Sequence, residues 1–473
     1  ECTVRHGQQH NAAGNQCWKA RMRQTAGRLQ QHYHHHRHGK AILLLTYFGL
    51  ILVQVGFLFL VPHDDPGATT GSSIPRRRNN DQVTALLQKL QNEALKKKSS
   101  LRFDWTNLPP MTPLGRAIER TQSQCLNASA VKEHGPQHLV HFQLIDSGMG
   151  SSFHTWMDPL CHAVENNKVL ISGSKDWVWN DQEVCPFELE RQQSIKAPDW
   201  PSPIHSHWRV PSHSTLWCYF GWHESALRCP PGTLAWNESV VDFGTKWQSY
   251  KCETIETNYG RMGMHAAVAE WLFQNVSRLV IEEAERQIRE EAFPVTTKNT
   301  PRDENHGDKF ERWSGMPDAD SLITVHIRWG DKESEMELVS VDELVNAIQS
   351  LLTLEERSGR KPVHIYVATE DAGALHLFCE AAEAHKWKVH ASGPTTGSPD
   401  EESSHMLAAA RQSHGKAGLQ SLAALLIAME ANRYVLTRGS NWSRLIDELR
   451  KSVVDSRCGN CTVMVDLREG EVR

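Results

Sequence analysis

An alternation in the last third of the chain constrains its fold most. Residues Leu322–Ile327 (LITVHI), 363–368 (VHIYVA) and 434–437 (YVLT) are short runs of mainly apolar residues, rich in β-branched and aromatic side chains. Apolar residues recur at helical spacing near 341–354, 372–385, 417–431 and 441–450. Strands apolar on both faces and separated by helices pair in parallel, with helices covering both sides. Upstream the pattern repeats more weakly, with strands at 138–145 (HLVHFQLI) and 168–171 (KVLI) flanking a helix at 152–165. Residues 175–260 are irregular and rich in Trp, Pro, Cys and His, residues 262–291 read as one long helix, and 294–318 as a polar loop. The expected fold is α/β: a C-terminal, doubly wound, Rossmann-like parallel sheet plus an N-terminal α/β lobe, with a cleft between them.

Residues 41–61 (AILLLTYFGLILVQVGFLFLV) carry no charge. At about 1.5 Å per residue, such a run spans a hydrocarbon core of roughly 30 Å. Seven Lys and Arg precede it against Glu1 alone, which places the tail in the cytosol and the rest in a lumen. The five N-x-S/T sequons (Asn127, Asn237, Asn275, Asn441, Asn460) and nine of the eleven cysteines follow it, as expected of an oxidising compartment. Cys458 and Cys461 have C-x-x-C spacing and read as a structural disulfide. The expected order is a cytosolic tail (1–40), a transmembrane signal anchor (41–61), a stem (62–115), an N-terminal lobe (116–312) and a ligand-binding Rossmann-like lobe (313–473). Within the stem, Val83, Leu86, Leu87, Leu90 and Leu95 mark a short amphipathic helix that could join two copies into a homodimer. The body beyond the tail has 44 bases against 55 acids, so nucleic acid is not an expected partner.

Three strand-to-helix turns carry residues suited to a phosphate-bearing ligand. His326-Ile327-Arg328-Trp329-Gly330-Asp331-Lys332 leaves the carboxyl end of a strand, where open α/β sheets bind ligands. There Arg328 offers a fork of donors to a diphosphate, Lys332 a second charge, Asp331 an orienting carboxylate and His326 a hydrogen-bonding ring. Gly148 and Gly150 open a helix, where backbone N–H groups approach an anion. Thr437-Arg438-Gly439-Ser440-Asn441 is a third such turn. Asp318-Ala319-Asp320 has the spacing of a metal-binding D-x-D but sits in a polar loop, and no metal is expected.

The GMGSSFHTW turn, the VHIRWGDK stretch, IYVATEDAGAL and ANRYVLTRGSNWSRL resemble the α1,6-fucosyltransferases of the N-glycan core. They resemble more loosely the chitooligosaccharide and protein O-fucosyltransferases, over roughly 138–450. The resemblance implies a two-lobed GT-B fold that moves fucose from GDP-fucose to a glycan or glycoprotein with inversion, without cofactor or metal, as a single-pass Golgi enzyme. It would place His326 on guanine, Arg328 on the β-phosphate, Asp331 and Lys332 at the reaction centre, and Gly148, Gly150 and Ser440 near phosphate. Asp371 would lie near the ribose, and Glu335, with Glu337 in reserve, would be the base. Trp329 stands where the family has a second arginine, and Ala424 where it has the carboxylate that reads guanine. Those departures keep open another nucleotide-sugar glycosyltransferase, or an inactive glycan-binding protein of the same fold.

Overall fold

The structure is a computed structural model that describes residues 100–123, 139–142, 144, 146–172, 177–185, 216, 218–220, 241–242, 252–294, 313, 315–329, 337–394 and 406–467. The apolar run at 41–61, the stem helix, and Asp331, Lys332 and Glu335 lie outside the described residues. Among the described residues no helix is long and apolar enough to cross a membrane.

Two parallel sheets organise the fold. The smaller contains β1 (Leu139–Phe142), β2 (Val169–Ser172) and β3 (Val241–Asp242) in the order β2-β1-β3. The larger contains β4 (Leu322–Ile327), β5 (His364–Thr369), β6 (Lys388–Ala391), β7 (Arg433–Leu436) and β8 (Val463–Asp466), ordered β6-β5-β4-β7-β8. All four of its pairings are parallel. Central β4 is buried along its whole length, Thr324 and His326 included, as a parallel strand covered on both faces must be. The doubly wound sheet expected from the alternation is present.

The period of two along each strand sorts side chains between two cores. Ile323, Val325 and Ile327, with Ile365, Val367 and Val435, face α5 (Val341–Leu351) and α7 (Ala372–Ala384). Leu322, Tyr366, Tyr434 and Leu436 face the opposite way, into a larger core that also holds Phe142, Phe153, Trp156, Trp271 and Phe273. That second core is continuous between the two sheets. It is filled by α2 (Met149–Glu165), α3 (Glu253–Leu272), α4 (Arg278–Gln287), α9 (Lys416–Ala428) and α10 (Asn441–Leu449), while α1 (Pro113–Ser123) packs along α3. Helix α6 is a single turn at Leu354–Arg357, and α8 (Met406–Gln412) leads into α9.

The long helix expected over 262–291 is broken. After Leu272 a 3-10 turn, Phe273–Asn275, gives way to extended Val276. The Val276 N–H leaves the helical ladder to bond the Trp105 carbonyl at 2.7 Å, and Val276 bridges Phe220. Apolar periodicity does not register a donor taken by another segment. Disulfides join Cys161 of α2 to Cys252 at the start of α3, Cys185 to Cys218, and Cys458 to Cys461 beyond α10. The C-x-x-C pair is thus a disulfide in this structure.

Helix α9 meets the 177–185 segment through glycine. Gly415 has φ +85°, and a Cβ there would collide with the Asn180 carbonyl; one on Gly418 would collide with the Trp179 carbonyl. In a solvent-facing helix Gly→Ala stabilises by about 1 kcal/mol. Gly418→Ala is expected to do the reverse, costing about 1–3 kcal/mol by overpacking against rigid backbone. Thermal denaturation checks the sign.

Candidate functional site

In the order β6-β5-β4-β7-β8, chain progression reverses between β4 and β7, the point at which open α/β sheets receive ligands. A cavity of about 580 Å³ opens there, beyond the carboxyl ends of β4, β5 and β7. It is lined by Ser147–Ser151 from the start of α2, by His326 and Arg328 at the end of β4, and by Ala368, Thr369 and Glu370 at the end of β5. Gly439–Trp442 at the start of α10, Ser421 and Ala424 of α9, and Trp179, Ser392, Pro394, Met406 and Leu407 complete the described lining.

Two helices therefore begin at the cavity. The N-caps Gly148 and Ser440 make no side-chain capping bond to their helices. The first backbone N–H groups of each helix have no partner within the helix, so both positive dipole ends converge here. The two starts touch: a Cβ on Gly150 would lie 3.0 Å from the Asn441 carbonyl carbon and the Trp442 nitrogen, and the Asn441 amide donates to Ser151 Oγ. Gly150 permits this approach of helix to helix. Gly148 has ordinary φ and ψ (−52°, 141°) and open space where a Cβ would stand.

Among the described residues lining the cavity, Arg328 is the only cation and Glu370 the only acid, and the two form an ion pair. Arg328 also donates to the Trp329 carbonyl at 3.2 Å. His326 is 3% exposed, and its Nδ1 lies 2.6 Å from Ser443 Oγ. Ser443 Oγ also accepts from the Thr437 N–H at 3.1 Å. Burial, aided by the neighbouring Arg328 charge, pushes the His326 pKa down to about 3. The ring is neutral at any physiological pH and can serve a ligand only as a neutral hydrogen-bonding or stacking group.

The cavity brings together five of the sequence-derived candidates: Gly148, Gly150, His326, Arg328 and Ser440. Asp371 sits at the N-cap of α7, accepting from the Ala374 N–H at 2.7 Å, while its neighbour Glu370 lines the cavity. Glu337 is exposed just before α5. Trp329 turns into the core behind β4, where its indole N–H donates to the Val339 carbonyl at 2.8 Å. Arg438 is committed to Asp466. Asp320 accepts from the Asn432 amide at 2.6 Å, and neither it nor Asp318 lines this cavity. Sequence reasoning missed Glu370, although it adjoins Asp371 at the end of a strand, and Ser443, whose helical position gave no sign of its bond to His326.

No protein-family model matches the chain, and no curated protein matches it. Among solved structures it is similar to the fucosyltransferase NodZ from Bradyrhizobium, at 12% identity over 71% of this chain and 97% of that one, with a TM-score of 0.35. It is also similar to a mutant of FUT1 from Arabidopsis thaliana in complex with GDP, at 10% identity over 73% and 79% of the two chains, TM-score 0.36. A third is POFUT1 in complex with GDP-fucose, at 12% identity over 67% and 95%, TM-score 0.29. Likeness at that level carries no argument about chemistry, which the chain's own residues must supply.

The two glycines separate by experiment. Gly150→Ala is expected to lower stability by about 1–3 kcal/mol, because backbone on the facing helix cannot yield. Gly148→Ala is expected to stay within about 0.5 kcal/mol of the wild type, as surface substitutions do. Chemical denaturation of both variants checks this.

Proposed function

We propose that the chain is an inverting glycosyltransferase that binds GDP-fucose in this cavity and passes fucose to a glycan, with the N-glycan core as the first acceptor to try. One observation carries the reading: two helix N-termini and one arginine converge at the switch point of a doubly wound sheet. That combination suits a nucleoside diphosphate, because backbone N–H groups and a planar guanidinium both complement phosphate oxygens. The resemblance of the turns to fucosyltransferases then selects fucose among sugars.

In this reading the diphosphate lies against the starts of α2 and α10 and competes with Glu370 for Arg328. The acceptor hydroxyl oxygen attacks the anomeric carbon as the bond from that carbon to the β-phosphate oxygen breaks. GDP leaves with the electron pair, and Arg328 with the helix ends stabilises the charge developing on it. A carboxylate takes the hydroxyl proton. Glu335 is the proposed base, with Glu337 in reserve, and Asp331 and Lys332 would order the same loop. His326, neutral and held by Ser443, would contact the base, Asp371 would lie towards the ribose, and no metal takes part. We place the enzyme as a single-pass Golgi protein with this part luminal, in keeping with the three disulfides.

Calorimetry on the full-length chain with GDP, GDP-fucose, GDP-mannose and a UDP-sugar tests the donor. GDP and GDP-fucose are expected to bind in the presence of EDTA. Arg328→Ala should weaken both by about 30-fold or more, since a charge-assisted pair lost from a closed site costs about 2 kcal/mol or more. Equal binding by the variant, or preference for the UDP-sugar, would refute this reading.

A further inference from the structure

Behind the cavity, between α2, α3 and α10, lies a buried ionisable cluster. His154 of α2 (6% exposed), His265 of α3 (2%) and Glu448 of α10 (0%) meet there. His154 Nε2 is 3.1 Å from both Glu448 oxygens, and His265 Nδ1 is 3.5 Å from Glu448 Oε1. The other His265 nitrogen, Nε2, is 3.1 Å from Asp158 Oδ1 on α2, and Asp158 Oδ2 accepts from Arg261 at 3.0 Å.

Hydrogen bonding assigns the protons. His154 Nδ1 is buried with no hydrogen-bond partner. A stranded N–H there would cost more than a bare lone pair, so the proton sits on Nε2 and is donated to Glu448. His265 has a carboxylate at each nitrogen, and a lone pair turned towards either would be repelled, so both nitrogens carry protons. Burial alone would lower the His265 pKa, but the bonds to Asp158 and Glu448 outweigh it and hold the imidazolium above the ordinary value. Two carboxylates then face the His265 and Arg261 cations. Arg444 of α10 borders the cluster and is bound to Asn441. Farther along α3, Glu270 is paired with Arg457, and Glu119 of α1 accepts from Trp271 and Gln274.

We propose that His265 is a positioning residue: as an imidazolium it binds Asp158 of α2 and Glu448 of α10 at once, and so fixes the register of the two helices whose starts line the cavity. Glu448 lies two turns below Ser440, and His154 and Asp158 one and two turns below Gly150. A proton on one ring thus braces the junction at Gly150 and Asn441 from beneath. The consequence for ligand binding rests on the diphosphate reading above; the brace does not.

The sign follows from the raised value. Stability from His265 is complete below about pH 6.5, the unfolded value, and is lost as pH rises through the higher folded one. Thermal midpoints of the full-length chain and of His265→Gln should differ most at about pH 6, and the gap should narrow as pH rises above about 6.5. The GDP dissociation constant of the variant at about pH 6 should be roughly fivefold or more weaker, with the wild type drifting towards it as pH rises. If His265→Gln does not fold, Asp158→Asn, at the 14%-exposed end of the chain of contacts, should move the wild-type loss to lower pH. A gap constant across pH would overturn the proposal. So would one equivalent of zinc, found by elemental analysis in the wild type and missing from the variant, since His154, His265 and Glu448 would then hold a metal instead of protons. A closing gap without GDP binding at any pH upholds the brace and removes the donor reading.

Discussion

The starts of α2 and α10 are pressed together, and the cavity depends on that contact. Two helix N-termini carry like partial charge and repel at close range. Here they are held by three things: the missing side chain at Gly150, the Asn441–Ser151 bond, and the large core in which both helices are buried. The contact leaves several backbone N–H groups directed at one space without intrahelical partners. An anion placed there relieves the repulsion as well as bonding the donors. In the proposed reading, the diphosphate would meet both helix starts at this junction.

Among the described residues, several other arginines with little exposure are spent on the fold. Arg433 binds Glu356 through both terminal nitrogens, Arg438 binds Asp466, and Arg450 binds Asp447 and Asp455. Each pairing satisfies charges that burial would otherwise make costly. Arg328 differs in where its partner sits: Glu370 is on the neighbouring strand's exit loop and lines the same cavity. The pair keeps the guanidinium placed and partly screened, and in the proposed reading the diphosphate would compete with Glu370 for it.

The sequence shows some of this plainly. β4 and β5 are legible because a central parallel strand must be apolar on both faces, and the helices between strands keep their period. β6 (KVHA) and β8 (VMVD) were not expected, since four-residue edge strands carry too few apolar positions to stand out. Arg328 and His326 are legible from their place at a strand end. The second role of Gly150, and the bonds of Ser443 and Glu448, are not, because each depends on which helix lies opposite. A serine and a glutamate in Asn441-Trp442-Ser443-Arg444-Leu445-Ile446-Asp447-Glu448 look like an ordinary solvated helix face, yet Ser443, Asp447 and Glu448 are fully buried.

The segment 177–185, which follows β2, is also bound to the site. Trp179 lines the cavity and donates its indole N–H to the Ser147 carbonyl at 2.9 Å, beside the start of α2. Its segment packs against Gly415, at the N-cap of α9, and Gly418 of α9, and is tied by Cys185 to Cys218, while Cys161 ties α2 to Cys252 at the start of α3. Loss of either disulfide would add chain freedom next to a wall that has little secondary structure of its own. Cross-links thus hold the segment beside the cavity along with its packing against α9.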